Sequence, residues 1–470
     1  MQGAHPDGPS RLAELAAAYE ALLRRRNAVD YPAMLALPLR LFAEHPRALR
    51  LLQDAQRHVL ADEAQDLCGA QHRLLRLLCE RHRNLVVVGD PWQAVFTWRG
   101  ADPWFVERFR QAFPEARVLQ LTENFRATGR LVHLANALGA PLGDRRLWTR
   151  NPPGQPAVLH GAADERAEAA YVADQIAALC RAGLVVHPGE VAVVYRTNRQ
   201  ADELALALRA LGIPYRVRGA GDPFARREVR DALAYLRLAL DPADGAALAR
   251  IVNTPPRRLG RLAAHVQDGP CAPAELVALA RPCGAVAVAA ANALTTLIDE
   301  LHAASRRLAP EALLRLAIER SGYRAWLARQ PDGAARARHL DDLHALVVRS
   351  RGSLTSLLDA FGAGVEATPD EPSVLLSTIH LAKGTERRAV FVVGAEEGLL
   401  PHARALAGVD GTSLEEELRA MYVAVTRACE RLVLTFAGTR RLGGRTGPRQ
   451  PSRFLRGLPA PLIAPSGRAA

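Results

Sequence analysis

Val59-Leu-Ala-Asp-Glu-Ala-Gln-Asp66, followed by Val86-Val-Val-Gly-Asp-Pro-Trp-Gln-Ala-Val-Phe-Thr-Trp-Arg-Gly-Ala101, decides how this chain is read. The first stretch delivers two adjacent carboxylates, Asp62 and Glu63, to the end of an apolar run of strand length. The second delivers Gly89-Asp90 and Gln93 to the end of another. One carboxylate holding a magnesium ion, beside a second that polarises a water, is what nucleotide hydrolysis needs near a phosphate. An isolated Asp-Glu pair is more often a solvated helix start, where acids favour the dipole. The apolar run before it, Gln65-Asp66 after it and the second motif turn the reading toward phosphate chemistry.

The chain has 470 residues, too many for one hydrophobic core and enough for roughly three domains. Its 49 % hydrophobic and 23 % charged residues are those of an ordinary globular protein. A formal charge of +12 points to a polyanionic partner. Arg and Ala dominate, however, and Lys383 is the only lysine, a usage that GC-rich coding also produces. Charge alone therefore does not decide for nucleic acid. The six cysteines contain no Cys-x-x-Cys pair, which argues against a zinc site or disulfide framework and for a reducing cytoplasm. No basic apolar signal opens the sequence and no apolar run reaches about 20 residues, so a soluble protein without membrane spans is expected.

Residues 11–57 read as helical, with strands at 57–61 and 85–88 flanking a helix around Gln71–Glu80. A further short strand is expected at 117–121. Strand and helix in alternation predict α/β architecture with a parallel sheet. Asn151-Pro-Pro-Gly-Gln-Pro156 marks a turn, after which the alternation resumes through Val191–Tyr195 and Tyr215–Arg218. From about 222 to 366 strand signals vanish, and this block reads as a helical insertion. Strand character returns at Val374–Ser377, Val390–Val393 and Leu432–Phe436, and the Gly-, Pro- and Arg-rich tail reads as irregular.

Three more segments carry chemistry. Leu121-Thr-Glu-Asn-Phe-Arg126 sets an arginine where it can neutralise transition-state charge; a lone arginine at a helix start is more often structural. Val374-Leu-Leu-Ser-Thr-Ile-His380-Leu-Ala-Lys-Gly-Thr-Glu386 and Glu415-Glu-Glu-Leu-Arg-Ala-Met-Tyr422-Val-Ala-Val-Thr-Arg-Ala428 follow. Trp98 and Arg99 offer a base-stacking plane and a phosphate contact, or else a core aromatic beside a surface charge.

In this order the five segments resemble motifs II to VI of the UvrD/PcrA/Rep-type superfamily 1 DNA helicases. Gly221-Asp-Pro-Phe-Ala-Arg226, Arg250-Ile-Val-Asn-Thr-Pro255, Val393-Gly-Ala-Glu-Glu-Gly-Leu-Leu-Pro401 and Pro451-Ser-Arg-Phe454 extend the likeness over roughly 15–460. The resemblance implies two RecA-like parallel-sheet cores. A partial first core would occupy 1–120, the second 121–221 and 371–440 around a helical insertion at 222–370, with an irregular tail at 441–470. It implies ATP and magnesium as cofactors. Asp62 would sit at the metal, Glu63 would be the catalytic base, and Gln93, Arg126 and Arg427 would reach the γ-phosphate. Phe125 would stack on adenine and Glu386 would meet the ribose. Trp98, Arg99, Thr378 and His380 would lie along single-stranded DNA, at single/double-strand junctions, with translocation running 3′→5′.

The sequence departs from the family pattern at Ala64, where an aromatic is usual, at Pro91-Trp92, where acids are, and at Thr385 and Arg387 beside Glu386. More consequentially, the Gly-Lys-Ser/Thr phosphate loop is absent from these residues. Lys383-Gly384-Thr385 has the three residue types, but Ile379 stands where the spacing requires the earlier glycine. The expectation is therefore an N-terminally truncated helicase, inactive as an isolated chain or completed by a separate chain that bears the loop. The alternative is a non-catalytic DNA-binding or regulatory remnant. Residues 1–120 are expected to be the least stable part, because a parallel sheet without its phosphate-loop strand exposes an edge.

Overall fold

The computed structural model describes residues 8–466, apart from 220, 267–270, 351, 363–370, 409–412 and 443–444. The end of the expected helical insertion and parts of the tail thus lie outside the described residues. The backbone forms two compact units, Met1–Leu121 and Thr122–Ala470. No helix among the described residues is long and apolar enough to cross a membrane.

The first unit opens with helices Gly8–Arg25, Tyr31–Glu44 and Pro46–Ala55. Local chemistry sets their limits: the Asp30 carboxylate accepts from Ala33 N at 2.8 Å, capping the second helix, and Pro46 starts the third. Strands β1 (Val59–Ala61) and β2 (Leu85–Val87) then pair in parallel, Leu60 opposite Val86, joined through the helix Gly69–Cys79. Gln53 Nε2 donates to Leu77 O at 2.7 Å and ties the third helix to that crossover. Trp92, Val95, Phe105 and Phe113 fill a small core. Residues 117–121 form no strand, contrary to the sequence reading; Val118, Leu119 and Leu121 are exposed. An apolar alternation becomes a strand only where a neighbour accepts its backbone bonds.

The second unit is built on a seven-stranded, wholly parallel sheet. Its strands are β3 (Ala157–Ala162), β4 (Val191–Tyr195), β5 (Tyr215–Arg218), β6 (Val374–Thr378), β7 (Arg387–Val393), β8 (Ala428–Ala437) and, beyond the hairpin described below, β11 (Ile463–Pro465). The spatial order is β11-β3-β8-β7-β4-β6-β5. Every residue of β4 and β6 is buried, which is why the inner strands read as unbroken apolar runs. Helices Glu165–Arg181, Gln200–Ala210 and Leu414–Val425 follow β3, β4 and β7. Between β5 and β6 the described residues hold helices and no strand. One apolar cluster runs from Ala169 through Leu236, Leu301 and Leu346 to Val433, so this block shares its core with the sheet.

The tail differs from its reading as irregular. Strands β9 (Thr439–Leu442) and β10 (Arg445–Pro448) pair as an antiparallel hairpin, and β11 lies parallel to β3. What holds the hairpin down is Arg440. Its buried guanidinium pairs with Glu168, on the helix after β3, and donates through Nε to Glu396 Oε1 at 2.7 Å. Composition hid these strands because backbone bonds and one buried ion cluster hold them, not an apolar face.

Candidate functional site

In the first unit, the end of β1 and the end of β2 are stitched together one bond at a time. Val88 N donates to Ala61 O at 2.8 Å and Ala64 N to Val88 O at 3.0 Å. Asp62 and Glu63 are therefore presented just past the sheet, both exposed. Asp62 Oδ1 accepts from Glu63 N at 2.8 Å. Glu63 adopts a left-handed backbone, φ 52°, rare for a residue with a side chain and found preferentially at functional sites.

Gln65 is the link between the two motifs. It is wholly buried; its Nε2 donates to Glu63 Oε2, and its Oε1 accepts from Asp90 N at 2.8 Å. Asp90 in turn accepts from Gln93 Nε2 at 2.8 Å and from Trp92 N at 3.0 Å. Glu63, Gln65, Asp90 and Gln93 thus form one hydrogen-bonded chain. Trp98 is 69 % exposed, so it is not a core aromatic, and the Arg99 guanidinium stands 5.2 Å from its ring centroid.

The second unit brings together expected residues from both ends of its own stretch of chain. Arg126 pairs through Nε with Glu386 and donates from Nη1 to Thr426 O at 3.3 Å. The neighbouring Arg427 is only 3 % exposed; it donates from Nε to Val423 O at 3.0 Å and from Nη1 to Thr385 O at 3.3 Å. Phe125 is 80 % exposed beside this cluster.

Thr378 and His380 lie at the end of β6. The Thr378 hydroxyl caps the short helix Ile379–Ala382, accepting from Leu381 N at 3.4 Å, so it serves the backbone. Burial, and then the charge of Arg196, push the His380 imidazole down to about 4, with Glu417 opposing. Arg196 binds Glu417 through Nη2 at 2.7 Å and Nε at 3.2 Å, and Glu417 Oε2 accepts from His402 N at 2.9 Å. The sequence reading missed Arg196 and did not separate Glu417 from its acidic neighbours. The available signal was positional: Arg196 follows directly on the buried strand β4, and Glu417 sits in the helix Leu414–Val425 that leads to Arg427.

Comparison with known proteins then fixes the family. Residues 3–114 match the UvrD/REP helicase N-terminal domain. Residues 119–266 and 348–439 match the UvrD-like helicase C-terminal domain. The chain is 32 % identical to an ATP-dependent DNA helicase PcrA of Staphylococcus epidermidis, over 95 % of its own length and 64 % of the relative's. PcrA of Leuconostoc citreum is also 32 % identical, over 96 % of this chain and 64 % of the relative. PcrA of Staphylococcus aureus is 31 % identical, with 95 % and 64 % covered. The chain thus spans 64 % of the length of these relatives. With its two matched domains and a seven-stranded parallel sheet, it belongs to the UvrD/REP family of helicases.

Proposed function

We propose that these residues are the motor portion of an ATP-dependent helicase that moves 3′→5′ along single-stranded DNA. The observation that carries the reading is the Arg126–Glu386 pair, bonded on through Thr426 O and flanked by the buried Arg427. Two guanidiniums gathered with one carboxylate suit a nucleotide, with phosphates drawn to the arginines and a ribose hydroxyl to Glu386. An incoming phosphate competes for Arg126, so the pair exchanges partners on binding.

Asp62 and Glu63 fit magnesium as a nucleotide complex, because that ion takes one or two carboxylates and leaves other positions to phosphate oxygens and water. Bound there, the ion would neutralise phosphate charge. Glu63 takes the proton from the attacking water, held in orientation by Gln65. Gln93, tied to Asp90, reports the γ-phosphate back to the same loop. Trp98 stacks on bases, with Arg99, Thr378 and His380 along the strand.

Since the chain as written holds no phosphate loop and a single lysine, its own ATP turnover is negligible, and turnover requires a loop supplied from other residues. Labelled oligo-dT binding by anisotropy tests the DNA half. Binding should weaken with salt, and Trp98→Ala should cost about tenfold in affinity, as loss of one stacked base does. Salt-independent binding, or no effect of Trp98→Ala, refutes it. DNA-stimulated ATP turnover by the pure chain, lost in Glu63→Gln, would refute the need for an external loop.

A further inference from the structure

At the carboxyl ends of β4 and β7 lies a cavity of about 290 Å³, walled by residues that follow those strands and by the helix Gly333–Ser350. Ligands of open parallel sheets bind outside the carboxyl ends of the strands. None of the nucleotide or DNA residues above lines it. Three arginines line it, and two are committed: Arg199 Nη2 to Asp342 Oδ1 at 2.7 Å, and Arg440 to Glu168 and Glu396; the third, Arg441, is exposed on β9.

Asp202, which lines the cavity, is different. Its side chain is 9 % exposed, and its Oδ1 is buried without a hydrogen-bond partner. Arg226 Nη2 stands 3.9 Å away, beyond hydrogen-bond reach. Glu203 faces it from its own helix and Arg199 from the residue that caps it, Arg226 from the cap of the helix Arg227–Leu240, and Asp342 from Gly333–Ser350. Burial pushes its carboxyl up to about 7, with Arg226 opposing and Asp342 and Glu203 adding. A buried carboxylate oxygen with no donor costs free energy until a donor arrives. The remaining wall includes Leu204, Leu346 and Leu399, and further carboxylates border it at Glu165 and Glu203.

We propose that this cavity binds a short aliphatic diamine, one ammonium donating to Asp202, the methylenes against the leucines and the second ammonium toward Glu165 and Glu203. Alkyl ammonium groups stay charged to about pH 10, so affinity follows the state of Asp202: it falls as pH drops from 8 to 6 and Asp202 takes up a proton.

Isothermal calorimetry of the full chain with 1,4-diaminobutane, at constant ionic strength, decides. Saturable one-to-one binding is expected. Asp202→Asn should weaken it at least about tenfold, the loss of one charged hydrogen bond, and abolish its pH dependence. Ala345→Leu, which fills the cavity from the helix side, should weaken it while leaving the circular dichroism unchanged, and decides alone if the first variant misfolds. No saturable binding, binding untouched by these substitutions, or equal displacement by sodium or magnesium at matched concentration overturns the proposal.

Discussion

A methyl group at position 89 would sit 2.6 Å from Gln65 Oε1 and 2.6 Å from Phe105 Cζ. Gly89 therefore lets the two motifs of the first unit touch, and Gly89→Ala should destabilise that unit by roughly 1–3 kcal/mol, the range for overpacking, read as a lower urea midpoint. His380 makes a pH prediction. Its imidazole, pushed down to about 4, would titrate near pH 6.5 when unfolded. The unfolded chain thus binds the proton more readily between those values. Stability that is complete above about pH 6.5 is lost as pH falls toward 4, by an amount on the order of 3 kcal/mol. The urea midpoint of the wild type should fall relative to that of His380→Asn as pH drops from 7 to 4, because the variant has no imidazole to protonate. At this scale the motif residues were legible because their spacing is local. Arg196–Glu417 was not, since 221 positions separate the partners, Arg196 lies outside the motifs and Glu417 is one of three consecutive glutamates.

Elements were legible wherever burial on both faces wrote an apolar run, as in β4 and β6. They were misread where something else makes the strand. Residues 117–121 have the alternation but no neighbour; β9 has a neighbour but an Arg-Arg pair at its centre. The β9–β10 hairpin depends instead on Arg440, which satisfies the buried carboxylates of Glu168 and Glu396. Arg440→Ala leaves both without their cation and should cost about 3–5 kcal/mol. Adding Glu168→Gln and Glu396→Gln should recover part of that loss in chemical denaturation. Failure of the double substitution to recover any of it would show that Arg440 acts by packing alone.

Over the whole molecule, stability is divided unequally. The shared apolar cluster lies entirely between Ala169 and Val433, inside the second unit. The first unit leaves Leu12, Leu15, Tyr19 and Leu22 exposed along one face of its opening helix, and Leu60 and Val86 exposed on its two-stranded sheet. Calorimetry should resolve two transitions, the lower belonging to Met1–Leu121, and mild proteolysis should leave a core beginning near Thr122. One cooperative transition would contradict this. The family was readable from five motifs in order, and the diamine cavity was not, because it gathers residues from five separate stretches of chain.

The pairing of β11 with β3 reaches beyond architecture. The last described strand covers the flank of the first strand of its sheet and ends in Pro465, whose ring cannot extend the ladder to another molecule. The tail is thus a guard against self-association. A chain cut back to residue 450 would bare the edge of β3 along Ala157–Leu159, and light scattering should show it assembling at concentrations where the intact chain stays dispersed.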